Sequence, residues 1–124
     1  AAHPSVLVVE DSRIIRRLSS QMIASLGFTV RQAENGEVAK ARVAEAMPTL
    51  VLLDWHMPLV NGIDFLRWLR TEAEGGDRPI VIFCTTETHM DYITEAIEAG
   101  ANDYMMKPFD VRILESKLAL LGFA

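Results

Sequence analysis

Five short runs rich in apolar and β-branched residues alternate with five amphipathic stretches, and that alternation constrains the fold more than any other feature of the chain. Ser5–Glu10 (SVLVVE), Leu50–Asp54 (LVLLD) and Pro79–Cys84 (PIVIFC) are nearly continuous apolar runs. Such runs mark strands covered on both faces. Thr29–Ala33 and Asp103–Met106 read as weaker strands. Between them, helices are predicted over Ser12–Leu26, from Asn35-Gly36 to near Met47-Pro48, over Ile63–Thr71, Thr88–Ala99 and Asp110–Leu121. In the first helix Ile14, Ile15, Leu18, Met22 and Leu26 recur at helical spacing, and Gly27 stops it. Ile63, Leu66 and Leu69 are the expected core face of the third; Val111, Leu114, Leu118 and Leu121 line one side of the last. Met57-Pro58 through Asn61-Gly62 is a loop, and Gly75-Gly76-Asp77 a breaker.

Strands alternating with helices imply βαβ units and a parallel sheet. Right-handed crossovers in so short a chain leave few topologies. The expected class is α/β, a doubly wound five-stranded parallel sheet of order 2-1-3-4-5 flanked by five helices, flavodoxin-like. Residues 1–124 form one domain, in keeping with the usual domain size. Ligands of such sheets bind beyond the carboxyl ends of the strands, at the switch point between strands one and three. Composition removes several other classes. With 12 basic and 17 acidic residues the net charge is −5, against a general nucleic-acid binder. The single cysteine, Cys84, excludes a disulfide framework. No apolar run approaches the roughly 18 residues that span a bilayer, and Ala1-Ala2-His3-Pro4 is not a signal peptide. A cytoplasmic protein is expected.

The carboxyl ends of the strands carry the chemistry. Strand one ends in Glu10-Asp11, strand three in Asp54, strand four in Thr85-Thr86 and strand five in Lys107-Pro108. Carboxylates gathered at ~4 Å repel by ~4 kcal/mol per pair at an effective dielectric near 20. A hard cation with room for waters, Mg²⁺, relieves that repulsion. A lone acid at a strand end reads as a solvated loop residue; complementary groups on four ends read as one site. A carboxylate beside Mg²⁺ can attack phosphorus and form an aspartyl phosphate. Asp54, alone on its strand end, is the better nucleophile, whereas Glu10 and Asp11 suit the metal. Lys107 and Thr85 stand at the edge where an ammonium and a hydroxyl could meet phosphoryl oxygens.

The segments VLVVED, LVLLDWHMPLVNG, VIFCTTE and AGANDYMMKPF resemble those of response-regulator receiver domains of two-component signalling, the single-domain chemotaxis-regulator type especially. The likeness runs through essentially the whole chain. It implies that Asp54 accepts a phosphoryl group from a phosphohistidine of a sensor histidine kinase or histidine phosphotransfer protein. It makes Glu10, Asp11 and Asp54 Mg²⁺ ligands together with the backbone carbonyl of His56, and gives Thr85 and Lys107 the phosphoryl contacts. It also implies that Tyr104 turns inward as Thr85 moves toward the phosphate, that Lys107-Pro108 is cis, and that the fourth helix, fifth strand and fifth helix form the face read by a downstream target.

Several side chains keep two readings. Pro108 either ends strand five or positions Lys107. His56 is a solvated loop histidine or tunes the lifetime of the acyl phosphate. Thr86 is bulkier than the alanine or glycine often found there in the family, and would narrow the approach of hydrolytic water. Cys84 reads as buried strand, Trp55 as packing beside the site and Trp68 as lying on the third helix. His3 and His89 read as surface residues. Arg13, Arg16 and Arg17 form a solvated helix face or help to dock an acidic partner.

The chain ends just after its last helix, so a stand-alone switch is expected, regulatory rather than an enzyme on an external metabolite, with neither nucleic acid nor membrane as partner. Rivals are a phosphoryl shuttle in a multistep phosphorelay, a receiver module excised from a longer regulator, a small Mg²⁺-dependent aspartate-nucleophile phosphatase and a flavodoxin-type flavin module. The phosphatase would need a second aspartate where His56 stands. The flavin module would need a phosphate-cradling loop where Glu10-Asp11 would repel the phosphate.

Overall fold

A computed structural model of the chain describes residues 4–57, 60–86 and 90–123. Strands β1 (Ser5–Val9), β2 (Thr29–Ala33), β3 (Leu50–Asp54), β4 (Ile80–Thr85) and β5 (Asp103–Met106) form one sheet of order β2-β1-β3-β4-β5. Every neighbouring pair is parallel. Helices α1 (Arg13–Ser25), α2 (Gly36–Glu45), α3 (Gly62–Thr71) and α4 (Met90–Glu98) fill the crossovers, and α5 (Val111–Leu120) follows β5. The predicted class, strand order and element sequence are all present. Among the described residues no helix is long and apolar enough to cross a membrane.

Side chains alternate across a strand, and here the alternation divides the core in two. Leu7, Val9, Val51, Leu53, Val81 and Phe83 face one side, where Ala39 and Val43 of α2, Phe65, Leu66 and Leu69 of α3 and Ala96 of α4 cover them. Val6, Val8, Leu50, Leu52, Ile82, Cys84 and Met105 face the other, under Ile23 of α1 and Leu114 and Leu118 of α5. Burying each large aliphatic side chain stabilises by roughly 1.5–3 kcal/mol, which is why the central strands can be apolar along their whole length. Helix starts are fixed by side-chain caps: Ser12, Asn35, Asn61 and Asp110 each accept the N–H three residues on. Gly27 stands just past α1 at φ 95°, the left-handed turn that ends a helix.

Two departures from the sequence reading have physical causes. β4 runs one residue past the predicted Cys84, because the Lys107 amide donates to the Thr85 carbonyl at 2.9 Å and extends the ladder. In α1 only the C-terminal part of the apolar stripe packs on the sheet: Met22 and Leu26 lie half-buried against the core, whereas Ile14 is 72 % exposed, and Ile15 and Leu18 are exposed too. The buried residues of the helix are Ser19, Ser20 and Ile23. The serines let the helix sit close, and Ser20 keeps its hydroxyl satisfied by donating to the Arg16 carbonyl at 2.7 Å. Ile15 and Leu18 instead form an apolar groove with Met22, Pro108 and Phe109. In α5, Val111 is exposed, while Leu114 and Leu118 are buried and Leu121 packs half-buried against the same core. The predicted start of the fourth helix at Thr88, and His3 and His89, lie outside the described residues.

Candidate functional site: an acidic cradle with a buried ammonium

The apolar strands end together at one edge of the sheet. Glu10, the residue after β1, is 5 % exposed, and Asp54, the last of β3, is 6 % exposed. Burial at this level is rare for carboxylates unless they are paired. The partner is Lys107, the residue after β5. Its ammonium donates to Asp54 Oδ1 at 2.9 Å and to Glu10 Oε1 through a short hydrogen bond. Asp11 is exposed at the mouth, beside His56, Met57 and Asn61. Glu10, Asp11 and Asp54 each offer a carboxylate oxygen, and the three atoms lie within 4.8 Å of one another. One ammonium therefore bridges two buried acids, with a third acid beside them at the mouth, and this group of carboxylates suits a further cation.

Desolvation dominates the Glu10 carboxyl. Burial raises its pKa to about 7; the hydrogen bond from Lys107 lowers it, and Asp54 raises it again. Burial pulls Lys107 the other way, but its bonds to Glu10 and Asp54 outweigh that and hold its ammonium above the ordinary lysine value. Burial pushes the Cys84 thiol, beneath the site, up to about 12, so a thiolate is unavailable and the buried-strand reading of Cys84 stands.

The backbone around the cradle is tightly specified. The Ser12 amide donates to Glu10 Oε2 at 3.2 Å, fixing the second carboxylate oxygen. Arg16 Nη1 donates to the Glu10 carbonyl at 2.9 Å; this arginine braces the acidic turn, while Arg13 and Arg17 are solvated. Gly62 opens α3 against the end of β3: a Cβ there would lie 2.2 Å from the Asp54 carbonyl oxygen and 2.9 Å from Phe83. Only glycine admits that approach. The Lys107–Pro108 peptide is cis, and Pro108 is exposed at the rim.

The remaining candidates fall around this centre. Thr85 is buried as the last residue of β4 and continues the Phe83 side of that strand. Thr86 is exposed next to it, on the rim of the apolar groove. Tyr104 pairs in register with Phe83, and Met106 with Thr85, so Tyr104 shares a sheet face with Thr85 from the neighbouring strand. It is half-buried there. His56 is exposed. Trp55 is buried with its ring 4.9 Å from Phe83 and 5.3 Å from Tyr92, beside the site as expected. Trp68 lies on α3, half-buried against Phe65. Sequence reasoning missed the role of Arg16, although its place one turn beyond the Glu10-Asp11 pair is a signal that could have found it.

The family profile of the response regulator receiver domain matches residues 6–119. The chain is a response-regulator receiver domain. It is 35% identical over 118 residues to the chemotaxis protein CheY1 of Helicobacter pylori, covering 94% of each chain. It is 34% identical over 114 residues to the chemotaxis protein CheY of Pseudomonas aeruginosa, covering 91% of each. Among solved structures, the Vibrio cholerae chemotaxis protein CheY4 superposes with a TM-score of 0.90 at 28% identity, over 96% of this chain and 98% of that one. A longer relative, the transcriptional regulatory protein PhoB of P. aeruginosa, is 33% identical over 114 residues, about half of its own length (49%). The receiver domain is thus a CheY-type, phosphorylation-dependent signalling switch. Receiver domains generally bind Mg²⁺ in an acidic pocket, and the grouped Glu10, Asp11 and Asp54 supply an all-oxygen set that fits a hard divalent ion. Such domains take their phosphoryl group from histidine kinases and act on downstream targets.

Proposed function

We propose that Asp54 is the phosphoacceptor of a cytoplasmic switch, with Glu10, Asp11 and Lys107 as the groups that make its phosphorylation feasible. The observation that carries this reading is the buried Lys107 ammonium bridging Asp54 and Glu10. An Asp54 oxygen attacks the phosphorus of a phosphohistidine; the O–P bond forms as the N–P bond breaks, and the imidazole leaves with the electron pair of that bond. Glu10, Asp11, Asp54 and the His56 carbonyl would hold Mg²⁺, which when bound would supply charge neutralisation for the transferred group. Lys107, fixed beside Asp54 Oδ1, is placed to neutralise a second phosphoryl oxygen. Thr85 donates its hydroxyl to a third, moving toward the phosphate, and Tyr104 follows from the same sheet face. Pro108 positions Lys107.

A ground state in which Lys107 is bonded to the acceptor also accounts for selectivity. The ammonium must transfer part of its bonding from Asp54 to the incoming group, so the cradle is primed for an anion with several oxygens. The apolar groove of α1 and Phe109 flanks this site and offers a protein donor a surface to sit on. The downstream target reads the face of α4, β5 and α5, where Met90, Tyr92, Ile97 and Ile113 are exposed. Thr86 at the rim slows hydrolysis by narrowing the approach of water, and His56 tunes the same step.

The test is incubation with acetyl phosphate and Mg²⁺, followed by intact mass spectrometry of wild type, Asp54→Asn and Lys107→Arg. One hydroxylamine-labile phosphoryl adduct on wild type, none on Asp54→Asn and none with EDTA is expected. Equal labelling of wild type and Asp54→Asn overturns the assignment. Back-transfer from the labelled protein to an isolated histidine phosphotransfer domain would move the reading toward the relay shuttle.

A further inference from the structure

Lys117 lies on α5, which packs through Leu114 and Leu118 on the sheet face of Met105. Tyr104 packs against the opposite face, with Phe83. The Lys117 side chain nevertheless reaches Tyr104 around β5, the edge strand: its ammonium stands 5.0 Å over the centre of the Tyr104 ring. Asp103 holds it there. Asp103 Oδ1 accepts from Lys117 Nζ at 3.1 Å and from the Tyr104 amide at 2.8 Å. A single carboxylate oxygen thus anchors both the backbone of the tyrosine and the cation above its ring, and both charged side chains are about three-quarters sequestered, at 26% and 22% exposure. Partial desolvation strengthens both the ion pair and the cation–π contact relative to open surface.

We propose that Lys117 is a positioning residue of the switch, which with Asp103 clamps Tyr104 in its resting orientation. The inference rests on the reading of Tyr104 as the group that turns toward Thr85. A ring that swings inward leaves the ammonium, so this contact exists in the resting arrangement and is lost in the activated one. An interaction made in only one of two states shifts their ratio by its full differential strength. A cation–π contact of this kind corresponds to about a two- to fivefold change in that ratio. Because the phosphorylated site and the inward tyrosine favour one another, the same factor appears in the apparent affinity for any ligand selective for the activated state. The clamp therefore sets how much of the protein is active before any phosphoryl group arrives, from a position on the output face.

The test uses beryllium fluoride with Mg²⁺ as a phosphoryl analogue. Its apparent affinity is read by Trp fluorescence in wild type, Lys117→Met and Lys117→Arg. In parallel, fluorine NMR of protein labelled with 3-fluorotyrosine follows Tyr104; the chain has two tyrosines, so Tyr92→Phe assigns the signals. Lys117→Met keeps the apolar stem and removes the cation, and is expected to bind the analogue about two- to fivefold more tightly than wild type. Lys117→Arg keeps a cation over the ring and should match wild type. Urea midpoints taken without the analogue report any general loss of stability, which would not raise analogue affinity. Unchanged or weaker binding by Lys117→Met, with the Tyr104 signal of wild type moving on activation, overturns the clamp alone. A wild-type Tyr104 signal that stays fixed while the analogue binds overturns the tyrosine reading and the clamp with it.

Discussion

Removing the charge of Glu10 should flatten the pH dependence of stability of the metal-free protein, and by a calculable amount. Burial raises the Glu10 carboxyl from 4.5 to about 7 in the folded state. Folded protein then holds a proton that unfolded protein has released, so this group stabilises the fold fully below pH 4.5 and ceases to do so as pH rises through about 7. The displacement corresponds to about 3 kcal/mol in total. About 2 kcal/mol of it falls between pH 5.5 and 8.5, where urea denaturation is practical. With a urea slope of about 1.5 kcal/mol per molar, that is more than 1 M in midpoint. In EDTA, the wild-type midpoint should therefore fall relative to Glu10→Gln by roughly that much across the interval. Excess Mg²⁺ favours the ionised carboxylate and should abolish the difference in slope. Parallel pH profiles for the two proteins in EDTA would refute the idea that desolvation of Glu10 controls the empty cradle.

Lys107→Met leaves Glu10 and Asp54 facing each other without their shared cation; breaking a buried pair in this way costs about 3–5 kcal/mol, and the metal-free variant should show that loss in urea, partly restored by Mg²⁺, while accepting phosphoryl groups far more slowly. Gly62→Ala drives a methyl group against the Asp54 carbonyl and Phe83, and should destabilise by about 2–3 kcal/mol, with weaker Mg²⁺ binding by Trp fluorescence because the end of β3 must shift. Cys84, buried with its thiol pushed up to about 12, should resist a disulfide reagent at pH 8 in native protein and react at the rate of global opening; fast labelling in native conditions would contradict the burial. Arg16→Ala, which strips the brace from the Glu10 carbonyl, should weaken Mg²⁺ binding several-fold with Arg16→Lys recovering part of it; identical metal titrations would count against a brace.

The sheet was legible because its signal is local and redundant. Leu50–Leu53 is apolar at every position, the pattern of a strand buried on both faces. The congregation of Glu10, Asp54 and Lys107 followed from topology, since parallel strands deliver their carboxyl ends to one edge. Helix faces were less legible. The stripe of Ile14, Ile15 and Leu18 has the spacing of a core face, yet α1 turns Ser19, Ser20 and Ile23 to the sheet. Hydrophobic periodicity shows that a helix is amphipathic; it does not distinguish a face made for the core from one made for the surface. Side-chain contacts made by helix residues were the least legible, although the place of Arg16 one turn beyond Glu10-Asp11 was a hint. Neither the Arg16 bond to the Glu10 carbonyl nor the Lys117 ammonium over Tyr104 follows from spacing, because each depends on how a helix is rotated against its strand. Thr85 sits at the expected strand end, but the strand's alternation points it along the Phe83 side, so the proposed contact with a phosphoryl oxygen would require a movement.

The central claim is that the carboxylate at residue 54 itself forms the bond to phosphorus. Reductive trapping with borohydride after phosphorylation converts an aspartyl phosphate to homoserine, and peptide sequencing by mass spectrometry then locates it. Homoserine at position 54, dependent on both the phosphodonor and Mg²⁺, is the outcome foreseen. Conversion at Asp11 or Glu10 with residue 54 intact, or a phosphoryl group found on His56, would contradict it.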